Sequence, residues 1–555
     1  MQASAVPTSD LTTIDLVLDR AAEVNGQVEA YVEPAVGTGP RRSITFGEWR
    51  HRADAAARWL SEAGVGRHHV VCLLLGPSID FAVAFQGIVR LGAVTSGINP
   101  RMGRAERESI LLRMAPTVTI AEDELVDELG SQAGRVFARS AIPTLVSASR
   151  PKAPACEPSD AVAVVWTSGT TGMPKGAIFD HRSLAAVAAG TDVLSQPGDR
   201  RLSPLPFSHV SYLTRAWDEI AHGVTTVISP TPWRASTALT SIVTERITVA
   251  QGVPTQWALI LELDELRTAD LSSLRVAGTG AARMAPSQVR QLREALGVPV
   301  VVRYTSTETS LGTGTRPGDD DDIVATTVGR PVAGVEISLV DVDGGEVEPG
   351  AIGRVRLRSG AVMRGYAASR AGGMPDTPIE IEASLTEGVL NDGWIITGDF
   401  GRLDEVGNLS LVGRDNELYQ RGGYNVYPAE VEQALDACPE VASVAVVAGA
   451  DPILGEVGIA FVVPRDPTAV PSLQDLREAI SDRLADYKAP DALVVIDALP
   501  LTPMGKVDKR ALAPAAETAA TERSRSIEAR RKATSHSSVG IGKDEAPHGD
   551  TKEDR

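Results

Sequence analysis

The apolar positions of the chain fall into three successive textures. Near the start, Thr45 and Glu48 make a capping-box pattern, followed at helical spacing by Trp49, Ala53, Ala56, Ala57 and Leu60 until Gly64. This spacing predicts a helix, and the apolar run VVCLLL after it predicts a strand. Helical stretches and short Val/Leu/Ile runs such as RITVAQGV, LRVAGTG and VPVVVRY alternate to about residue 310, an α/β signature. From about 325 to 412 the segments GVEISLVDVDGG, GRVRLRSG and GNLSLVG predict short antiparallel strands with Gly turns. After 418, Pro428 suits a first helical position, with Val431, Ala434, Leu435 and Cys438 on one face. ASVAVVAGA, GIAFVVP and ALVVID predict strands, and Ser472 opens a helix carrying Leu473, Leu476, Ile480 and Leu484. That is enough for a small α+β domain of about 100 residues. Beyond 512 the chain loses its aromatics, which predicts a disordered tail.

One stretch carries visible chemistry. WTSGTTGMPKGAIFDH (residues 166–181) comes after a short apolar strand, Ala161 to Trp166. Gly169, Gly172 and Gly176 let the backbone turn tightly and bring N–H groups close to a ligand. Thr167, Ser168, Thr170 and Thr171 add hydroxyl donors, and Lys175 adds a positive charge. Such a nest suits a polyphosphate. It is not a Walker loop: Lys175 comes after Pro174 instead of Gly, and Gly176 stands where Ser or Thr would meet magnesium.

Composition narrows the class. A chain of 555 residues implies two or more domains. The formal net charge of −18 argues against a nucleic-acid or anionic-membrane surface. Cys72, Cys156 and Cys438 lie far apart without metal-ligand spacing, which fits a reduced, cytoplasmic setting. The first residues show no signal-peptide pattern, and the apolar runs are too short for a membrane span. Asp319 to Asp322 come after Pro317-Gly318 and read as a solvated loop, since four consecutive carboxylates cannot converge on one ion.

Four further stretches complete an ordered series: RYTSTETS (303–310), DGWIITGD (392–399), GRDNELYQRGGYNVYPAEVE (413–432) and LPLTPMGKVDKRAL (499–512). With the phosphate loop, the series closely resembles the adenylate-forming superfamily, in its acyl-CoA synthetase branch, from about residue 12 to 512. The resemblance implies an α/β fold with a large N-terminal α/β domain bearing a β subdomain, and a small mobile C-terminal α+β domain. The expected divisions are an adenylation domain over 1–412, a hinge over 413–417 centred on Asn416, a mobile domain over 418–512 and a tail over 513–555.

The implied chemistry joins a carboxylic acid (fatty or related) to ATP, giving acyl-AMP and pyrophosphate, and then transfers the acyl group to CoA. By the resemblance, the loop from Thr167 through Ser168, Gly169, Thr170, Thr171 and Gly172 to Lys175 holds the β- and γ-phosphates. Tyr304 stacks on adenine, Thr307 donates to the α-phosphate, and Glu308 ligates magnesium. Asp399 accepts from the ribose hydroxyls, and Arg414 adds a ribose contact. Lys506 is the implied catalytic cation, offsetting charge as the carboxylate meets the α-phosphate. Lys488 and Lys509 read as solvated lysines. His209 matches the position at the acyl pocket that contacts the carboxylate side, and Gly422-Gly423 leave room for a pantetheine arm.

Amino-acid-activating relatives place an Asp near LSPLPFSHVSYLT, and here none occurs until Asp218, which favours acids without an amino group. Three positions depart from the family pattern. Thr305 replaces a Gly, Tyr212 stands where relatives often have Gly, and Asn416 stands for Asp or Lys at the hinge. The added bulk of Thr305 and Tyr212 suggests a shortened or reshaped acyl pocket. Loading of a carrier protein and an ATP-binding homologue without turnover remain alternatives, and homo-oligomerisation is open.

Overall fold

The computed structural model describes residues 3–35, 39–144, 150–151, 155–167, 174–191, 193–280, 284, 286–415, 417–502 and 506–537. The chain divides into two compact units. The first comprises 1–416 with 501–506, and the second comprises 417–500 with 507–555. Among the described residues no helix is long and apolar enough to cross a membrane.

The first unit is built on two large sheets. In one, Val300–Tyr304, Val276–Gly280, Val249–Gly252, Arg200–Ser203, Thr225–Ile228 and Glu29–Glu33 lie side by side and parallel. Both faces are covered, and Val276–Gly280 and Val300–Tyr304 bury successive residues without alternation. In the other, Arg135–Ala138, Val118–Ala121, Val70–Leu74, Val94–Gly97 and Ala161–Thr167 run parallel, and Lys175–Asp180 closes the edge antiparallel to Ala161–Thr167. The expected helix is Phe46–Glu62, with Thr45 and Glu48 making a reciprocal capping box and Trp49, Ala53, Ala56, Ala57 and Leu60 buried. The region of Gly turns forms an antiparallel sheet of Glu336–Val340, Gly353–Arg358, Trp394–Leu403 and Leu409–Arg414.

The acidic run departs from the expected solvated loop. Asp320 is the N-cap of a short helix, Asp321–Thr326, where first-turn carboxylates face the positive helix end. The Asp319 side chain is largely buried, paired with Arg330 and accepting the Arg316 backbone N–H at 2.6 Å.

In the second unit, Val441–Asp451 and Gly455–Pro464 pair antiparallel, and Ala492–Val495 lies parallel beside the latter. Side chains alternate across this sheet. Val444, Val446, Ala460 and Val462 face the helices Pro428–Asp436 and Leu473–Ile480. Ala445, Val457, Ile459 and Phe461 point the other way and meet Leu512, Ala516 and Ala520.

Those last three residues correct the expected tail. The chain continues as one helix, Lys509–Ser537, instead of becoming disordered at 513. Leu512, Ala516 and Ala520 recur every four residues, a helical stripe made of side chains too small to announce a core by composition. The approach is close: a Cβ added at Gly449 would lie 2.7 Å from the Ala520 Cβ and 2.8 Å from the Ala516 carbonyl oxygen. Lys488 and Lys509 also depart from the solvated reading. Lys488 pairs with Glu430 at 2.7 Å, and Lys509 pairs with Glu417 at 2.6 Å and Glu432 at 2.8 Å.

This packing makes a quantitative expectation. Gly449→Leu must push the helix off the strand and should cost about 1–3 kcal/mol, as overpacked cores do. Urea denaturation monitored by circular dichroism measures it, and an unchanged midpoint would mean that the helix does not rest on Gly449.

Candidate functional site

Thr167 and Lys175 are register partners at the ends of two antiparallel strands. The phosphate-loop residues between them that were singled out, Ser168, Gly169, Thr170, Thr171 and Gly172, lie outside the described residues, as does Asn416. The chain leaves the loop as a strand, Lys175–Asp180, and the helix His181–Gly190 begins only after that strand. A Walker loop leads directly into a helix, so the topology separates the two designs as the sequence did.

Lys175 Nζ lies 5.4 Å from the centroid of the Tyr366 ring, within cation–π range. The Tyr366 hydroxyl donates to Glu308 Oε1 at 2.7 Å. Burial and the Glu308 charge push the Tyr366 phenol far above its ordinary pKa, so it stays a donor. One carboxylate oxygen of Glu308 is thereby fixed. The turn that carries Thr307 and Glu308 is locked from both ends: Ser306 N–H donates to Thr309 Oγ1 at 3.0 Å, and Thr309 N–H donates to Ser306 Oγ at 3.3 Å. Thr305 is exposed beside it, its hydroxyl 3.2 Å from Thr309 Oγ1.

Four residues behind Glu308, Tyr304 ends the strand Val300–Tyr304 with its hydroxyl donating to Asp399 Oδ2 at 2.7 Å. Arg414 Nε donates to Asp399 Oδ1 at 2.7 Å. The reason lies in the sheet: Asp399 and Arg414 are cross-strand partners in the pairing of Trp394–Leu403 with Leu409–Arg414. Asp399 N–H also donates to Thr397 Oγ1 at 3.1 Å. Both carboxylate oxygens are held, yet an ionised carboxylate has about four acceptor positions, which leaves capacity for a ligand's hydroxyls.

Lys506 belongs to the same unit, and Asp399 and Arg414 act on its charge. Burial, and after it repulsion from Arg414, lowers its pKa, and Asp399 opposes that. His209 is the N-cap of the short helix Val210–Leu213, where Nδ1 accepts the Ser211 N–H at 3.2 Å. Burial and the Lys506 ammonium pull the His209 pKa down to about 4. The neutral ring that accepts at Nδ1 carries its proton at Nε2, so His209 offers a donor.

Tyr212 is buried. Its ring stacks on Phe207 at 3.7 Å and its hydroxyl lies 2.8 Å from that of Tyr31, within the buried core of the unit. Tyr212 therefore adds its bulk within the buried core of the unit. Its neighbours Tyr31, Phe81 and Phe207 supply the aromatic surroundings that require a ring there.

Gly422 and Gly423 lie in the second unit. They link Tyr419–Arg421 to Tyr424–Val426 as a two-residue hairpin turn, with φ of +57° and +87°. A turn with both central residues at positive φ demands Gly or Asn irrespective of any ligand. No atom stands within 4 Å of a Cβ added at Gly423, so its outer side is open.

Sequence reasoning missed Tyr366 and the reciprocal Ser306–Thr309 lock. The lock has a legible signal, Ser-x-x-Thr, in a position where no helix was expected. Tyr366 has none: it reaches Glu308 across 58 residues, where the Met363 N–H donates to the Glu308 carbonyl at 2.8 Å.

The AMP-binding enzyme family matches residues 18–367, and the AMP-binding enzyme C-terminal domain matches residues 430–506. The chain belongs to the AMP-binding enzyme family, and within the adenylate-forming superfamily it falls in the acyl-CoA synthetase branch. It is similar to an indoleacetate–CoA ligase of Aromatoleum aromaticum, 31% identical over 85% of this chain and 92% of that protein. A long-chain-fatty-acid–CoA ligase of Mycobacterium tuberculosis is 30% identical over 90% of this chain and 98% of that one. The solved structure of an anthranilate–CoA ligase in complex with anthranoyl-AMP is 27% identical, with a TM-score of 0.79 over 93% of this chain and all of that one.

The His209 environment generates a pH expectation. As pH falls below 6.5, the unfolded chain protonates this histidine first, while the folded ring resists until about 4. Acidification through that window therefore destabilises the fold through His209. Asn keeps an N-cap acceptor without titrating. His209→Asn should lose less melting temperature than the wild type between pH 6.5 and about 4. Parallel pH profiles would mean that the ring titrates normally.

Proposed function

We propose that the protein is an ATP-dependent, AMP-forming acid–CoA ligase acting on an acid without an amino group, of fatty or aromatic type. The observation that carries this is Asp399, held on one oxygen by Tyr304 and on the other by Arg414, with Lys506 in its field. That is an acceptor for ribose hydroxyls next to a mobile cation. The relatives include CoA ligases of indoleacetic and long-chain fatty acids.

In the first half-reaction a carboxylate oxygen attacks the α-phosphorus, the α–β P–O bond breaks, and pyrophosphate leaves. Lys506 bridges the approaching anions and offsets the charge that develops on oxygen. Asp399 and Arg414 orient the ribose, and Tyr304 lines the adenine side. Thr307 donates to the α-phosphate, and Thr167 and Lys175 flank the β- and γ-phosphates. His209, as a neutral Nε2–H donor, orients the acid. Among the described residues no group of three or more His, Cys, Asp or Glu is placed to hold a metal. Magnesium suits such a site, because it takes one or two carboxylates with substrate phosphates. Glu308, steadied by Tyr366, would hold it, and the ion would neutralise phosphate charge.

In the second half-reaction the CoA thiol, giving up its proton, attacks the acyl carbonyl carbon, and the C–O bond to AMP breaks. The Gly422–Gly423 turn lets the narrow thiol arm pass. A cytoplasmic setting is part of this reading and is supported by three free cysteines, of which Cys72 and Cys438 are buried.

Pyrophosphate release over a panel of acids, with CoA and with a carrier protein as acceptor, tests the reading. Thioester formed with free CoA is the expected result; turnover only with the carrier protein would make it a carrier-loading ligase. Lys506→Ala should lower adenylate formation by about two orders of magnitude, as loss of one charge-stabilising donor does. Transfer from presynthesised acyl-adenylate should be far less affected. Equal loss in both half-reactions would remove Lys506 from the adenylation step.

A further inference from the structure

The helix Lys509–Ser537 does more than cover a sheet face. We infer that Arg523, on this helix, is the positioning residue for the Gly422–Gly423 hairpin in acyl transfer to CoA. The inference rests on the proposed role of that hairpin as the passage for the thiol arm.

Two of the anchors that hold the hairpin run to Arg523. The first is Arg421, the residue before the turn, whose Nε and Nη2 donate to the two oxygens of Asp491 at 2.7 and 2.9 Å. Arg523 Nη2 donates to the same Asp491 Oδ1 at 2.9 Å. The second anchor is the neighbouring turn. Gly422 N–H donates to the Leu454 carbonyl at 2.7 Å, and Leu454 N–H and Ile453 N–H both donate to Asp451 Oδ1 at 2.9 Å. Arg523 Nη1 donates to Asp451 Oδ2 at 2.7 Å, where Ser524 Oγ also donates at 2.9 Å. One guanidinium thus joins the two carboxylates that fix the flank and the backbone of the glycine turn.

The electrostatics explain why an arginine is needed. The side chains of Asp451 and Asp491 are 4% and 3% exposed, so both charges are desolvated and require cationic partners. A planar fork presents donors in fixed, diverging directions, and Arg523 uses Nη1 for Asp451 and Nη2 for Asp491. The glycines themselves cannot hold the turn in place: they supply positive φ but no side-chain contact. Their position is therefore set by the residues around them, through Arg421 and Leu454.

The test compares Arg523→Ala, Arg523→Lys and Gly423→Asn with the wild type. Asn tolerates positive φ, so Gly423→Asn keeps the turn and adds a side chain on its open side. Amide hydrogen exchange is read over 419–426 and 451–455, with the helix Pro428–Asp436 as the internal reference. Loss of charged hydrogen bonds of this kind should raise exchange in both segments by about tenfold in Arg523→Ala. Thioester formation from presynthesised acyl-adenylate should fall by a similar factor, with adenylate formation unchanged. Arg523→Lys should restore part of both. Unchanged exchange in the two segments overturns the inference, as does exchange raised equally in the reference helix. A wild-type thioester rate in Arg523→Ala, while Gly423→Asn lowers it, overturns it too. A wild-type thioester rate in both variants overturns the proposed role of the hairpin, and the inference with it.

Discussion

The pairing of two antiparallel strands, Trp394–Leu403 and Leu409–Arg414, sets Asp399 opposite Arg414, and the proposed nucleotide side of the site is organised around that pair. A register shift by one residue would send every side chain of a strand to the other face. Here the register is held by alternate burial along Trp394–Leu403, so the position of a single carboxylate is secured by the core of a whole sheet. Tyr304 comes to the same carboxylate from the end of a parallel strand in another sheet. The carboxylate is thus the point where two sheets of the first unit are tied together by short hydrogen bonds.

Glu308 is secured differently. Its turn is closed by Ser306 and Thr309, and its side chain is steadied by Tyr366, which also lies under Lys175. A basic and an acidic group that would each meet the phosphates are connected through one aromatic ring. Uncharged hydroxyls and a ring do the positioning, which leaves both charges available to a ligand. His209 obeys the same logic: its backbone-facing nitrogen is committed to Ser211, and its neutral state results from burial beside Lys506.

Glycine has two distinct uses in the second unit. Gly449 provides close approach, because a helix backbone lies where a side chain would be. Gly422 and Gly423 provide positive φ in a hairpin turn and leave open space outside it. Only the second kind faces outward and can bear on a ligand. Both kinds look alike in the chain, since neither φ nor interatomic distance is written in residue type.

Much of the local order that depends on near neighbours was legible, although the Ser306–Thr309 lock and the helix Asp321–Thr326 were not. The capping boxes at Thr45 and Ser472, Pro428 at a helix start, the parallel runs and the antiparallel region all result from spacing and side-chain type. The ordered motifs were enough to identify the superfamily, and of the residues they singled out the structure joins Tyr304, Asp399 and Arg414 by hydrogen bonds. The tertiary structure alone decided what lies across long sequence separations. Tyr366 meets Glu308 where a backbone hydrogen bond from Met363 to the Glu308 carbonyl joins the two segments, and Tyr212 turns into an aromatic core assembled from Tyr31, Phe81 and Phe207. The helix beyond 512 is ordered because Leu512, Ala516 and Ala520 find an apolar sheet face. An alanine stripe buries little surface by itself, and it becomes a core only when a partner of complementary shape is folded against it.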